Sequence, residues 1–439
     1  MPKYIKKLPF LFIFVFYHQL FDEKLYNNLV NKRIIIAFAI LIGILAASNI
    51  ILELKKPSVS SKIISPLGKS FSIDSVVKKH ENPKYLTYGY LPYWSIDQEK
   101  YFQYDKLTDI SYFGLYINSD GSFKTLTEDG EPNPGYDTWK NDDRLNKIIE
   151  NANRYNTRIS LTIIAHEDDA SDKFLNCKNC WETLSKNLSN ELEFKKIKDV
   201  NLNFEYAEFT DGITADKYTE FVGFINKRLK EKFGNDQKLV VSTFADALVK
   251  ERVTKIPDVA NVADAIFIMG YDFHRPDSEK AGPVSPLNGK GVYAEYDIET
   301  MLNDYLSYLP PNKIILGLPY YGYNWVVKEG IPNAERIPGT DDIGFSQPQT
   351  YSAIMDTILE VKPQIKWDDL GKVPYFIYKS PSTSSTREVY YENAESLRLK
   401  YELIRNNKLL GVGIWALGYD GGYIELWNLL SEYFSNGKQ

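Results

Sequence analysis

The sequence predicts an α/β chain: a closed (β/α)8 barrel of the TIM type, with a small α+β insertion between strands 7 and 8 and an N-terminal transmembrane helix before it. Three observations lead there. Eight short apolar runs recur through residues 85–434, with amphipathic stretches of helix length between several of them. That alternation is the mark of βαβ units on a parallel sheet, and eight is the number a closed barrel needs. One connection, about 326–389, is too long for a simple crossover and holds strand-like runs of its own. Near the start, residues 34–52 make one uncharged apolar run.

In chain order, residues 1–33 read as an N-terminal cytoplasmic segment, since Leu8 to Tyr17 is apolar but too short to span a bilayer. Residues 34–52 lie between Lys32-Arg33 and Lys55-Lys56. Their length, at a rise of ~1.5 Å per residue, nearly covers a hydrocarbon core of ~30 Å. A cleaved signal peptide is the alternative, because Ala46-Ala47-Ser48 supplies small residues at the end of the run. The basic residues before the run slightly outweigh those after it. This favours a single-pass protein of the cell membrane with its barrel extracytoplasmic, or a secreted one if the segment is cleaved. Residues 53–84, rich in Ser, Lys and Pro, read as a linker.

The barrel strands are expected at 85–90, 109–117, 158–165, 199–205, 238–244, 265–271, 313–319 and 411–416. Helices are expected between several of them, including 217–232 and 392–407. The latter carries Leu397, Tyr401 and Ile404 on one face. In such a barrel the chemistry belongs at the C-terminal ends of the strands.

Composition narrows the function. A net charge of −6 argues against a nucleic-acid partner held by counterion release. Aromatic residues make up 14% of the chain, 32 of them tyrosines, which suits strand-rich cores or stacking on sugar rings. Cys177 and Cys180 are the only cysteines. A lone C-x-x-C cannot close a four-ligand zinc site unaided, and a local disulfide is the expectation if the barrel is extracytoplasmic. The run His166-Glu167-Asp168-Asp169 reads as a solvated loop at the barrel mouth and not as a metal cluster. Neither metal nor cofactor is called for.

The most informative run is the fourth strand, Asp199-Val200-Asn201-Leu202-Asn203-Phe204-Glu205. Strand side chains alternate with period two, so Asp199, Asn201, Asn203 and Glu205 share one face and Val200, Leu202 and Phe204 the other. The apolar set faces the helices and the polar set the barrel axis. A polar column there is expensive unless hydrogen-bonded, so it is expected to support a site with Glu205 uppermost.

This strand resembles the glycoside hydrolase family 18 motif Asp-Gly-x-Asp-x-Asp-x-Glu, and more closely its bacterial spore-germination-type subset, which has Asn at the middle acidic position. The resemblance spans about 85–434. It implies a retaining, substrate-assisted hydrolase of β-linked N-acetylglucosamine polymers, chitin-like or peptidoglycan. In such an enzyme the acid protonates the leaving oxygen while the substrate's 2-acetamido oxygen attacks. Residue by residue it makes Glu205 the acid and Asn203 the group that orients the acetamido. Met269-Gly270-Tyr271-Asp272 matches the family's Met-x-Tyr-Asp. By that match Tyr271 bonds the acetamido carbonyl and Asp272 contacts substrate. Trp415 matches the hydrophobic floor under the distorted sugar. Asn201, Met269, Tyr90, Trp94 and Tyr321 enter as substrate-binding positions by the same resemblance.

Three departures stand in the motif. Lys198 replaces the first Asp, Asp199 the Gly, and Asn203 the Asp two residues before the acid. The Asn203 amide oxygen can still accept an acetamido N–H, but it carries no charge to raise the Glu205 pKa, which predicts slow turnover. A catalytically silent glycan-binding protein of the cell envelope is the alternative.

Overall fold

The structure, a computed structural model, describes residues 83–206, 212–250 and 252–435. The transmembrane segment expected at 34–52, and nearly all of the linker expected at 53–84, lie outside the described residues. Among the described residues, no helix is long and apolar enough to cross a membrane.

Eight parallel strands close the barrel in the order β1-β13-β7-β6-β5-β4-β3-β2. They are β1 (Leu86–Pro92), β2 (Asp109–Tyr116), β3 (Arg158–Ala165), β4 (Asp199–Phe204), β5 (Leu239–Phe244), β6 (Ala265–Met269), β7 (Ile314–Pro319) and β13 (Gly411–Trp415). Each coincides with one of the eight expected runs. The sixth ends two residues early, which puts Tyr271 and Asp272 on the loop above the rim.

Five antiparallel strands form a lobe between β7 and β13, in the order β10-β11-β12-β8-β9. They are β8 (Tyr321–Val326), β9 (Gln347–Thr350), β10 (Lys366–Asp368), β11 (Val373–Lys379) and β12 (Thr386–Tyr391), with one helix, Tyr351–Val361. The inserted lobe therefore begins at Tyr321, earlier than the expected 326, because the chain turns into β8 directly after β7. Its sheet places Tyr321 and Tyr323 beside the barrel mouth, where both hydroxyls donate to Asp272.

The barrel interior is a packed layer of Tyr88, Tyr90, Phe113, Ile164, Val240, Ala265, Phe267 and Ile315. Phe267 fills its centre because two glycines face it. Gly317 and Gly413 are partners across β7 and β13, and a Cβ on them would lie 2.3 and 2.0 Å from the Phe267 ring. Polar groups in this layer are paired, as burial requires. Tyr88 bonds Ser160, Ser111 bonds Thr162, and Ser242 bonds both Tyr90 and Asn201. At the lower end Asp199 takes a two-pronged bond from Arg158, at 2.7 and 2.6 Å, which explains how its carboxylate is tolerated there.

Outside, helix faces cover the strands. In the helix Ala394–Asn406, Leu397, Tyr401 and Ile404 are fully buried, and an Asn393/Ser396 capping box satisfies its first amides. Cys177 and Cys180 are joined as a disulfide at the start of the helix Lys178–Lys195.

Candidate active site

β4 carries the polar column that the sequence implies, and the alternation explains each member's depth. Asn201 is wholly buried, its amide donates to Ser242 at 3.0 Å, and it is not among the residues lining the cleft. Asn203 is the next residue up, and Glu205 follows just past the strand end. The Glu205 N–H donates to Ala165 O at 2.9 Å, which ties the tops of β4 and β3 together.

The Glu205 side chain keeps 29% exposure at the bottom of a cleft of about 1210 Å³. Asn203 Nδ2 donates to Glu205 Oε1 at 2.7 Å. Asn203 Oδ1 is buried and, among the described residues, has no hydrogen-bond partner. A buried orphan acceptor is costly, so this oxygen is poised to receive an N–H donor.

Cleft-facing aromatics surround the carboxyl. The Trp415 ring meets Phe113 edge-on with centroids 4.8 Å apart, Tyr90 at 5.3 Å and Tyr271 at 6.4 Å. Burial, with the negative charges of Asp272 and Glu205 adding to it, pushes the Tyr271 phenol well above 10; it is a neutral hydroxyl at any working pH. Asp272 adopts a left-handed backbone conformation at φ 62° and stands on the lip, accepting from Tyr323 at 2.6 Å and from Tyr321. Met269, Tyr321 and Trp94 also line the cleft, and Trp94 is half exposed with its indole N–H on Tyr419. Trp94 and Tyr321 thus reach the cleft, whereas the neighbouring Tyr320 and Trp325 are core.

One site residue escaped the sequence reading. His166 stands exposed on the loop after β3, as the sequence suggests, yet its side chain turns to the site. Its Nε2 lies 3.2 Å from Glu205 Oε1 and 3.1 Å from Asn203 Nδ2. Asp168 and Asp169 open the helix Asp168–Leu175, where acidic side chains suit the positive end of the dipole. The signal was available: Ser160, Thr162, Ile164 and His166 share a face by the same period of two that singled out Glu205.

Burial pushes the Glu205 carboxyl up, but the His166 bond and charge and the Asn203 amide outweigh it, so its pKa falls below the ordinary glutamate value. At neutral pH the free site therefore holds a carboxylate. It is flanked by an imidazole, an amide with a vacant acceptor, a neutral phenol and an aromatic floor. That set can transfer a proton and hold an amide-bearing ring.

Several known proteins are similar to this chain. The chain is 24% identical over 261 residues to the sporulation-specific protein YdhD of Bacillus subtilis (strain 168), with 60% of this chain and 56% of that protein aligned. It is 27% identical over 264 residues to di-N-acetylchitobiase of Homo sapiens, covering 52% and 66% respectively. It thus spans less than two thirds of the length of either relative. The spore cortex-lytic enzyme SleL of Bacillus megaterium QM B1551 superposes with a TM-score of 0.63 at 20% identity, over 85% of this chain and 78% of that one, and so shares the fold. Residues 87–420 match the Glycosyl hydrolases family 18 as a whole, well over half of the 439 residues, and the chain belongs to that family.

Proposed function

We propose that this chain hydrolyses β-linked N-acetylglucosamine-containing glycans, chitin-like or peptidoglycan, by substrate-assisted retaining catalysis. The observation that carries the reading is Glu205 at the cleft bottom, with the orphan oxygen of Asn203 beside it and the Tyr271 and Trp415 rings packed together in the same cleft. In this reading a sugar ring lies over Trp415. Its acetamido N–H donates to Asn203 Oδ1, and its carbonyl accepts from the Tyr271 hydroxyl. The acetamido oxygen then attacks C1 as Glu205 protonates the departing oxygen. Glu205 next takes a proton from the water that opens the cyclic intermediate. Metal and cofactor have no part in this scheme. The barrel is placed outside the cytoplasm, where the Cys177–Cys180 disulfide persists. The apolar run 34–52 serves as its membrane anchor.

A second reading, glycan binding without turnover, is favoured by one observation: the amide of Asn203 stands where a carboxylate would share its charge with the acid. Product analysis on chito-oligosaccharides and peptidoglycan separates the two. Wild type should release reducing ends with retained configuration, and Glu205→Gln should release about a hundredfold fewer or less. Equal rates for the two proteins would remove Glu205 from the chemistry, whereas binding with no products from either would establish the second reading.

A further inference from the structure

We propose that His166 is the proton partner of Glu205: Nε2 and Oε1 hold one proton between them in the free site, and the imidazole passes it to the carboxyl before the leaving group departs. This rests on the reading of Glu205 as the acid. The family pattern puts a second carboxyl at position 203 to share charge with that acid. Here an amide occupies the place, and an imidazole just beyond the adjacent strand top stands within reach.

The geometry supports two hydrogen-bond patterns on the same heavy atoms. In one, an imidazolium Nε2–H donates to the Glu205 carboxylate across 3.2 Å. In the other, Glu205 carries the proton and the Nε2 lone pair accepts from Asn203 Nδ2 at 3.1 Å. Asn203 has two N–H groups on that nitrogen, so one can stay on Glu205 Oε1 at 2.7 Å throughout. The ring is held edge-on by Tyr116, with centroids 5.7 Å apart, while its side chain keeps 32% exposure through which solvent can reload it. The Glu205 N–H···O Ala165 bond fixes the spacing of the two strand ends.

The step balances. The Nε2–H bond breaks as an O–H bond forms on Glu205, leaving neutral imidazole. That O–H proton passes to the glycosidic oxygen as the C1–O bond breaks and the acetamido oxygen bonds to C1. Water then bonds to C1 as the C1–O bond to the acetamido oxygen breaks; the water proton goes to Glu205, and its transfer to Nε2 restores the starting imidazolium–carboxylate pair.

The other titratable groups facing the pair are the phenols Tyr90 from β1, Tyr116 from β2 and Tyr271 beyond β6, and the Asp272 carboxyl. Burial raises all three phenols above 10, so they stay neutral. Glu167, beside His166 in the chain, is engaged by Lys124. His166 thus remains the basic group in contact with Glu205.

Carbon-13 NMR of the Glu205 carboxyl tests this directly, with His166→Gln as the variant. Asn203 and His166 are what hold that carboxyl low. Its titration midpoint should move upward in His166→Gln, and the wild-type resonance should show a second inflection where the imidazole titrates. A single-step wild-type curve overturns the proposal even if the variant fails to fold, and an unchanged midpoint in a folded variant also overturns it. With turnover, the alkaline limb of kcat/KM should shift toward acid in His166→Gln. The variant should lose about tenfold at pH ~7 but threefold or less at pH ~4.5. An equal loss at all pH values marks a merely structural residue and ends the proposal. If the wild type makes no product, the hydrolase reading fails, and the carboxyl titration still decides the role of His166.

Discussion

Replacing Asn203 with Asp changes one atom in the site and should change the chemistry more than any other conservative substitution. The amide nitrogen is 2.7 Å from Glu205 Oε1. A carboxylate oxygen in its place would face another carboxylate at that distance. Two unit charges there repel by about 6 kcal/mol at an effective dielectric of ~20, an upper figure because Glu205 is partly exposed. Like carboxyls that close cannot both ionise, so one proton stays between them. His166, 3.1 Å from the same atom, would donate to the new carboxylate and leave the retained proton on Glu205. The acid would then start protonated at neutral pH, in contrast to the wild-type carboxylate. Proton transfer by a positioned acid is worth about 10²–10⁴-fold, and recovery of even part of that predicts a gain of about tenfold or more near pH 6–7. Initial rates on a fluorogenic chito-oligosaccharide across pH 4–8, with circular dichroism as a control for folding, measure it. A folded Asn203→Asp protein no faster than wild type anywhere in that range would refute the reasoning.

Three further outcomes follow from the packing. Trp415→Ala removes the ring under Tyr90, Phe113 and Tyr271, so kcat/KM on N-acetylated oligosaccharides should fall about a hundredfold, with a stability loss of about 3 kcal/mol in urea melts. Lys400 and Glu392 form an ion pair with side-chain exposures of 0% and 1%, at 2.8 Å. Lys400→Met strands the carboxylate and should cost about 3–5 kcal/mol, read as a lower denaturant midpoint. Burial raises the Asp420 carboxyl from 3.8 to about 6, against the bonds it accepts from Trp427 and Gly422. Between those values the folded chain holds the proton more firmly than the unfolded one. The contribution of Asp420 therefore declines as pH rises, by about 3 kcal/mol, and stays lost above pH ~6. In Asp420→Asn that slope between pH ~4 and ~6 should flatten; an identical slope would place the pH sensitivity elsewhere.

Much of the fold was legible because barrel strands are short apolar runs with strong local signals. All eight coincide with stretches readable from apolar periodicity, from Leu86 to Trp415. The boundaries were less legible where tertiary contacts end a strand. β6 stops at Met269 because Gly270 donates to Ile268 and Gly317 carbonyls and turns the chain, and the lobe begins at Tyr321 because β8 pairs with β12 across the insertion. Pairing partners 65 or so residues apart leave no local trace. The hollow filled by Phe267 is similar: Gly317 and Gly413 read as turn-prone residues until the register sets them side by side.

The site divides along the same line. The Glu205 column followed from alternation alone, and the motif resemblance named Tyr271 and Trp415, whose rings the structure brings together over the barrel. Depth did not follow. Asn201 has the same polarity and face as Asn203, and only the ring of strands decides that Ser242 closes over one while the other meets the cleft. His166 was hidden for a different reason. The acidic residues after it read as solvent-facing, and that reading was extended backward across a residue whose own strand period pointed inward. A motif search weighs residues that a family shares, so a side chain that compensates for a lost charge escapes it. The departure at Asn203 and the imidazole beside it belong to one local solution: the proton that two carboxyls would divide is held instead by a carboxyl and a base.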